Sequence, residues 1–139
     1  MIEVAEGMDI ALATDVSARI ERFANIVPAW CRRIKIQYDS NNTDAYAVVW
    51  VNYSNRNAVI AITGSYLELS HERRDLVIAH ELCHIHTSII SDAAEDVLRN
   101  HLDGPSLETA RLLIRERLEA ATEDLAYAFL GPTTIRPCE

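Results

Sequence analysis

Basic charge is scarce in this chain. Thirteen Lys and Arg face 21 Asp and Glu, for a net charge of -8. A general nucleic-acid binder carries a basic stripe, so nucleic acid is not expected as a partner. Cysteines number only three, Cys31, Cys83 and Cys138. An odd, widely spaced set makes neither a disulfide framework nor a CxxC zinc knuckle. Read as reduced thiols they imply a cytoplasmic chain, with a Cys31–Cys138 bridge as the alternative. No apolar run nears the ~18–20 residues of a membrane span, so no membrane partner is expected. The longest such run, Ala45 to Val51, is strand-sized. Residues Met1 to Glu6 are acidic and lack the basic lead of a secretory signal. Glycine and proline are few, four of each, and there is no internal repeat or low-complexity tract.

What is present reads as one folded domain over residues 1–139. Hydrophobic residues make up 49% and charged residues 24%, ordinary globular usage. Ile10, Ala13, Val16, Ile20 and Phe23 recur at helical steps, predicting a helix from Asp9 to Val27 that Pro28 ends. Arg33 to Tyr38 alternates polar and apolar, the period of a strand. Ala45 to Tyr53 and Ala58 to Thr63 predict two more strands, joined across Ser54 to Asn57 as an antiparallel hairpin. Ser70 is placed to cap a helix from Glu72 to Ile89, followed by a short helix from Ser91 to Asn100. Ser106 is placed to cap a last helix from Leu107 to Leu130, closed by Gly131-Pro132. Thr133 to Glu139 reads as a flexible tail. The predicted class is α+β, a small antiparallel sheet packed on helices.

The chemistry lies in His80-Glu81-Leu82-Cys83-His84, an HExxH motif. On a helix, positions four apart share a face, so both imidazoles reach one cation at ~2.0–2.1 Å. Glu81 then sits beside the metal. A carboxylate there can take a proton from a water attacking a carbonyl and pass it to the leaving amine. Leu76, Val77, Ile78, Ala79, Leu82 and Ile85 surround the motif with apolar side chains. Polar groups buried in such a helix need partners.

The motif after a small sheet resembles a zincin metallopeptidase. The segment Leu118 to Pro132 resembles the third-ligand helix of ImmA/IrrE-type metallopeptidases. In that register Glu119 falls on the ligand position and Thr122 on the small residue, usually alanine. Glu123 falls on the Asn or Asp, and Phe129-Leu130-Gly131-Pro132 on the family's ending. The resemblance implies a minimal zincin-like fold in which His80, His84 and Glu119 hold Zn2+. It implies that Glu123 accepts a hydrogen bond from a ligand histidine, and that Glu81 is the catalytic general base. The implied activity is hydrolysis of peptide bonds in a peptide or protein substrate by a metal-activated water. In zincins an edge strand pairs with the substrate, a role that falls here to Ala58 to Thr63.

Other readings stay open. Glu123 or His101 are alternative third ligands. His101 lies 17 residues after His84 and just before Leu102-Asp103-Gly104-Pro105, faintly resembling SprT-type proteases. A non-catalytic, zinc-stabilised interaction module is a further alternative. Along the last helix Leu107, Ala110, Ile114, Leu118, Ala121 and Leu125 form an apolar face, while Glu119 and Glu123 interrupt a second stripe with Leu112, Ala126 and Leu130. His71 and His86 carry no assigned role, and Tyr66 and Tyr127 read as packing residues.

Overall fold

The computed structural model describes residues 1–131. The expected tail and Cys138 lie outside them. In chain order the elements are β1 (Ile2–Val4), α1 (Ile10–Arg22), β2 (Arg33–Asp39), β3 (Ala47–Asn52), β4 (Asn57–Thr63), α2 (His71–His101) and α3 (Gly104–Leu130). Short 3-10 turns at Ala24–Ile26 and Gly64–Glu68 join them. The class is α+β, as expected.

The sheet is mixed rather than antiparallel, in the order β1-β2-β4-β3. The hairpin is there, with Val49 opposite Ile60 in an antiparallel pair. But β4 also runs parallel beside β2, with Ile36 opposite Ile60. Composition gives the reason. Ala58, Ile60, Ala61, Ile62 and Thr63 are all buried, so β4 is apolar on both faces and suits a central position. A strand at the amino terminus, β1, was not anticipated. It pairs parallel with β2, Ile2 opposite Ile34. The long connection through α1 is what a parallel pair requires.

Helix α1 begins where Asp9 accepts the Leu12 N–H at 2.9 Å. It ends at Arg22, five residues short of expectation, because the chain tightens into the 3-10 turn and Val27 turns extended before Pro28. Its buried stripe is Leu12, Ala13, Val16, Arg19 and Ile20, whereas Ile10 is exposed. Helix α2 runs unbroken through the expected break near residue 90, since no glycine or proline interrupts it. Ser70 caps it as expected, accepting the Arg73 N–H. Helix α3 begins at Gly104 rather than Leu107, with Pro105 in its first turn, where a missing N–H costs nothing. It ends at Gly131, whose φ of 86° favours glycine and whose N–H bonds the Tyr127 carbonyl.

The core joins Val16 and Ile20 of α1, Ile36 and Ile60 of the sheet, and Ile78, Leu82 and Ile85 of α2. Helix α3 packs along α2 and adds only Ala126 to that cluster. Its apolar face differs from the periodic reading. Leu125 is exposed, while Thr122, Ala126 and Tyr127 are buried.

Candidate metal centre

His80 and His84 lie one turn apart on α2 and turn the same way. Their ring centroids are 4.6 Å apart and the planes are near perpendicular. On the opposite face of this turn, Ile78, Leu82 and Ile85 anchor the helix in the core. The ligand face therefore has little freedom to rotate.

Helix α3 runs back along α2 and brings Glu119 to the two rings. His80 Nε2 is 3.3 Å from one Glu119 carboxylate oxygen, and His84 Nε2 is 3.2 Å from the other. The three donors form one group within 4.8 Å. A tetrahedral cation with ligands at ~2.0–2.1 Å spaces its donors by ~3.3 Å, so this donor set fits zinc in chemistry and in these separations. A protonated histidine is the alternative partner for Glu119. Burial pushes the His84 imidazole below its ordinary value, and His80 beside it pushes the same way, while Glu119 opposes. His80 Nε2, His84 Nε2 and both Glu119 oxygens thus face one small space. That space could hold a metal ion.

Glu81 is buried beside the group, against strand β3. Burial raises its carboxyl to about 8, the Glu119 charge adds to the rise, and a backbone hydrogen bond from Val49 opposes it. A carboxyl in that range can both take and return a proton near neutrality.

All four side chains line one open cleft of about 1100 Å³. One wall is residues 45–51, including β3, the second is α2 from Arg73 to Leu98, and the third is α3 from Glu108 to Glu123. Glu119 stays half exposed within it, so the group is reachable from solvent.

The structure brings together His80, Glu81, His84 and Glu119. His101 stands at the far end of α2, exposed, and 17 residues of helix put it roughly 25 Å from His84. It does not join the group. Glu123 lines the cleft one turn past Glu119, but it hydrogen-bonds neither histidine. The neighbour of the His84 Nδ1 is instead the Thr87 hydroxyl, at 3.5 Å, and Thr87 meets Thr122 at 3.1 Å. Sequence reasoning missed Thr87. The signal was its spacing, three residues after His84 and so on the same helix face.

The strand expected to meet substrate is also corrected. Ala58 to Thr63 lies in β4, which is hydrogen-bonded on both sides and has no free edge. The edge beside the donor group belongs to β3. Tyr66 is fully buried, and its hydroxyl donates to Asp15 at 3.0 Å, away from the cleft. His86 donates to the Ile26 carbonyl, and His71 Nδ1 accepts from Arg19, so both have structural partners.

Comparisons with protein-family models, with curated proteins and with solved structures return no match. No helix among the described residues is long and apolar enough to cross a membrane.

Proposed function

We propose that the chain is a zinc-dependent metallopeptidase of zincin-like design. The observation that carries this reading is the convergence of His80, His84 and Glu119 beside Glu81 in one open cleft. His80, His84 and Glu119 would hold the ion. When bound, zinc supplies Lewis-acid polarisation of a carbonyl and lowers the pKa of a water towards ~7.

The chain's own groups do the rest. The free edge of β3 offers backbone donors and acceptors to an extended peptide, which adds as a further strand. That pairing lays the peptide along the cleft wall next to Glu81. Glu81 accepts a proton from the water as its oxygen bonds the carbonyl carbon. It then returns that proton to the nitrogen as the C–N bond breaks, leaving a carboxylic acid and an amine. The depth of Glu81 keeps bulk water from competing for the proton. The net charge of -8 favours neutral or basic peptides through long-range attraction.

The alternative of a purely structural zinc calls for four protein ligands. The group found among the described residues has three, and a carboxylate at position 81 adds nothing to a structural site.

The test is metal content after zinc loading, followed by a peptide-hydrolysis screen. Wild type is expected to hold one zinc. His84→Ala and Glu119→Ala are expected to lose it, and Glu123→Ala and His101→Ala to keep it. Glu81→Gln is expected to keep zinc and lose hydrolysis by 10²-fold or more. A wild type that takes up no zinc overturns the reading. Retention by Glu119→Ala with loss in His101→Ala moves the third ligand to His101.

A further inference from the structure

The second nitrogen of His84 points away from the donor group, into the seam between α2 and α3. There the Nδ1 lies 3.5 Å from Thr87 Oγ1, and Thr87 Oγ1 lies 3.1 Å from Thr122 Oγ1. Thr87 is 7% exposed and Thr122 fully buried, so water does not replace either partner. We propose that Thr87 and Thr122 form a hydroxyl relay that holds His84 with its proton on Nδ1 and its Nε2 lone pair aimed at the cation. Thr87 is then a positioning residue for the metal centre, and Thr122 positions Thr87. The proposal rests on the metal-binding reading of His84.

The direction of the relay follows from the acceptors around Thr87. The Thr87 hydroxyl has one hydrogen and three neighbours. The His84 carbonyl and the His84 Nδ1 are each 3.5 Å away, and Thr122 Oγ1 is 3.1 Å away. That hydrogen has two acceptors besides the ring, the His84 carbonyl and Thr122 Oγ1. The Thr87 oxygen then keeps a lone pair for an Nδ1–H. The reverse direction has a distinct consequence. If Thr87 donated to Nδ1, the ring proton would sit on Nε2, facing the Glu119 oxygen at 3.2 Å. His84 and Glu119 would then satisfy one another, and no lone pair would be left for a metal. One hydroxyl hydrogen thus separates a closed pair from an open ligand set.

The relay also crosses between helices. Thr122 is three residues after Glu119 on α3, and Thr87 three after His84 on α2. Residues three apart share a helix face. The threonine bond therefore sets the height of α3 against α2 within a turn of the point where Glu119 meets both rings. A metal-bound histidine gains orientation and basicity from the group on its other nitrogen. Here two hydroxyls fill that place, and Glu123 does not.

The test has two readouts on the full chain. The first is zinc affinity by chelator competition in wild type, Thr87→Val, Thr87→Ser and Thr122→Val. The second is the nitrogen chemical shifts of His84 in the metal-free chain at mildly alkaline pH, which report where the ring proton sits. Thr87→Val is expected to weaken zinc binding about tenfold and to move the proton to Nε2. Thr87→Ser restores the hydroxyl and is expected to stay near wild type. Thr122→Val is expected to lie between. Thermal melts identify any variant that fails to fold, in which case Thr122→Val decides alone. Wild-type affinity and an unmoved proton in Thr87→Val overturn the relay. A wild type that binds no zinc overturns the metal reading instead, and the nitrogen shifts still decide whether the relay exists.

Discussion

Helix α2 carries two polar clusters. At its N-terminal end His71 and Asp75 meet Arg19 of α1. A turn and a half further on, His80 and His84 meet Glu119 of α3. Arg19 is 4% exposed, yet every direction of its guanidinium is answered. It pairs with Asp15 at 2.9 Å, with Asp75, and donates to the His71 carbonyl at 3.0 Å. Tyr66 donates to Asp15, and Arg74 lies over the Tyr66 ring. Burial alone would raise the Asp15 carboxyl. Hydrogen bonds from Arg19 and Tyr66 and the charges of Arg19 and Arg74 outweigh it and hold the carboxyl below its ordinary value. That cluster is closed by its own charges. In the second cluster Glu119 meets two imidazoles, and no arginine or lysine among the described residues pairs with it. One region brings its own cation, and the other, in the proposed reading, takes one from outside.

The largest expected effect tests the closed cluster. Arg19→Met takes the buried guanidinium shared by Asp15 and Asp75, leaving them Tyr66, Arg74 and Arg22, and is expected to cost about 3–5 kcal/mol of stability. Denaturant melts measure that loss. Zinc per folded molecule should not change, because no Arg19 contact reaches the donor group. Loss of zinc in folded Arg19→Met would show that the two clusters are coupled.

The next effect belongs to Glu81 and depends on pH. Its carboxyl is raised from 4.5 to about 8 in the folded, metal-free chain. Between those values the folded chain keeps a proton that the unfolded chain releases. Stability from this group is therefore complete below pH 4.5 and is lost as pH rises through about 8. Glu81→Gln cannot ionise. It is expected to exceed metal-free wild type by roughly 3–5 kcal/mol above that range, with the gap closing at the acid end. Melts of both proteins across the window check it. A gap independent of pH would mean that Glu81 has the same pKa in the folded and the unfolded chain.

The smallest effect returns to the closed side. Tyr66→Phe removes one of several partners of Asp15 and is expected to cost about 1–2 kcal/mol. It should also let the Asp15 carboxyl titrate nearer its ordinary value, which carbon NMR of that side chain would detect. Zinc binding should be untouched.

What could be read from the chain was whatever depends on neighbours in sequence. The spacing of His80 and His84 is a property of helical pitch, and the Ser70 cap and the β3–β4 hairpin are local as well. Those features are present where the pattern puts them. Overextension of α1 and the expected break in α2 were errors of boundary, where competing local signals differ by little free energy. Arg19 was hidden because a charged residue in an apolar stripe reads as solvated until its partners from another helix are placed.

The sequence by itself determined that an apolar helix carries two imidazoles and a glutamate on consecutive turns. It could not choose among Glu119, Glu123 and His101, because all three are acceptable donors and none is near His80 along the chain. Tertiary structure, through the height at which α3 packs on α2, brings Glu119 to both rings and leaves His101 at the far end of the hairpin. It also put β4 in the middle of the sheet and β3 at the edge beside the cleft. Strand order follows from which strands bury both faces. Helix height follows from which side chains interlock across the seam. Both are settled by contacts between residues far apart in the chain, which periodicity does not encode.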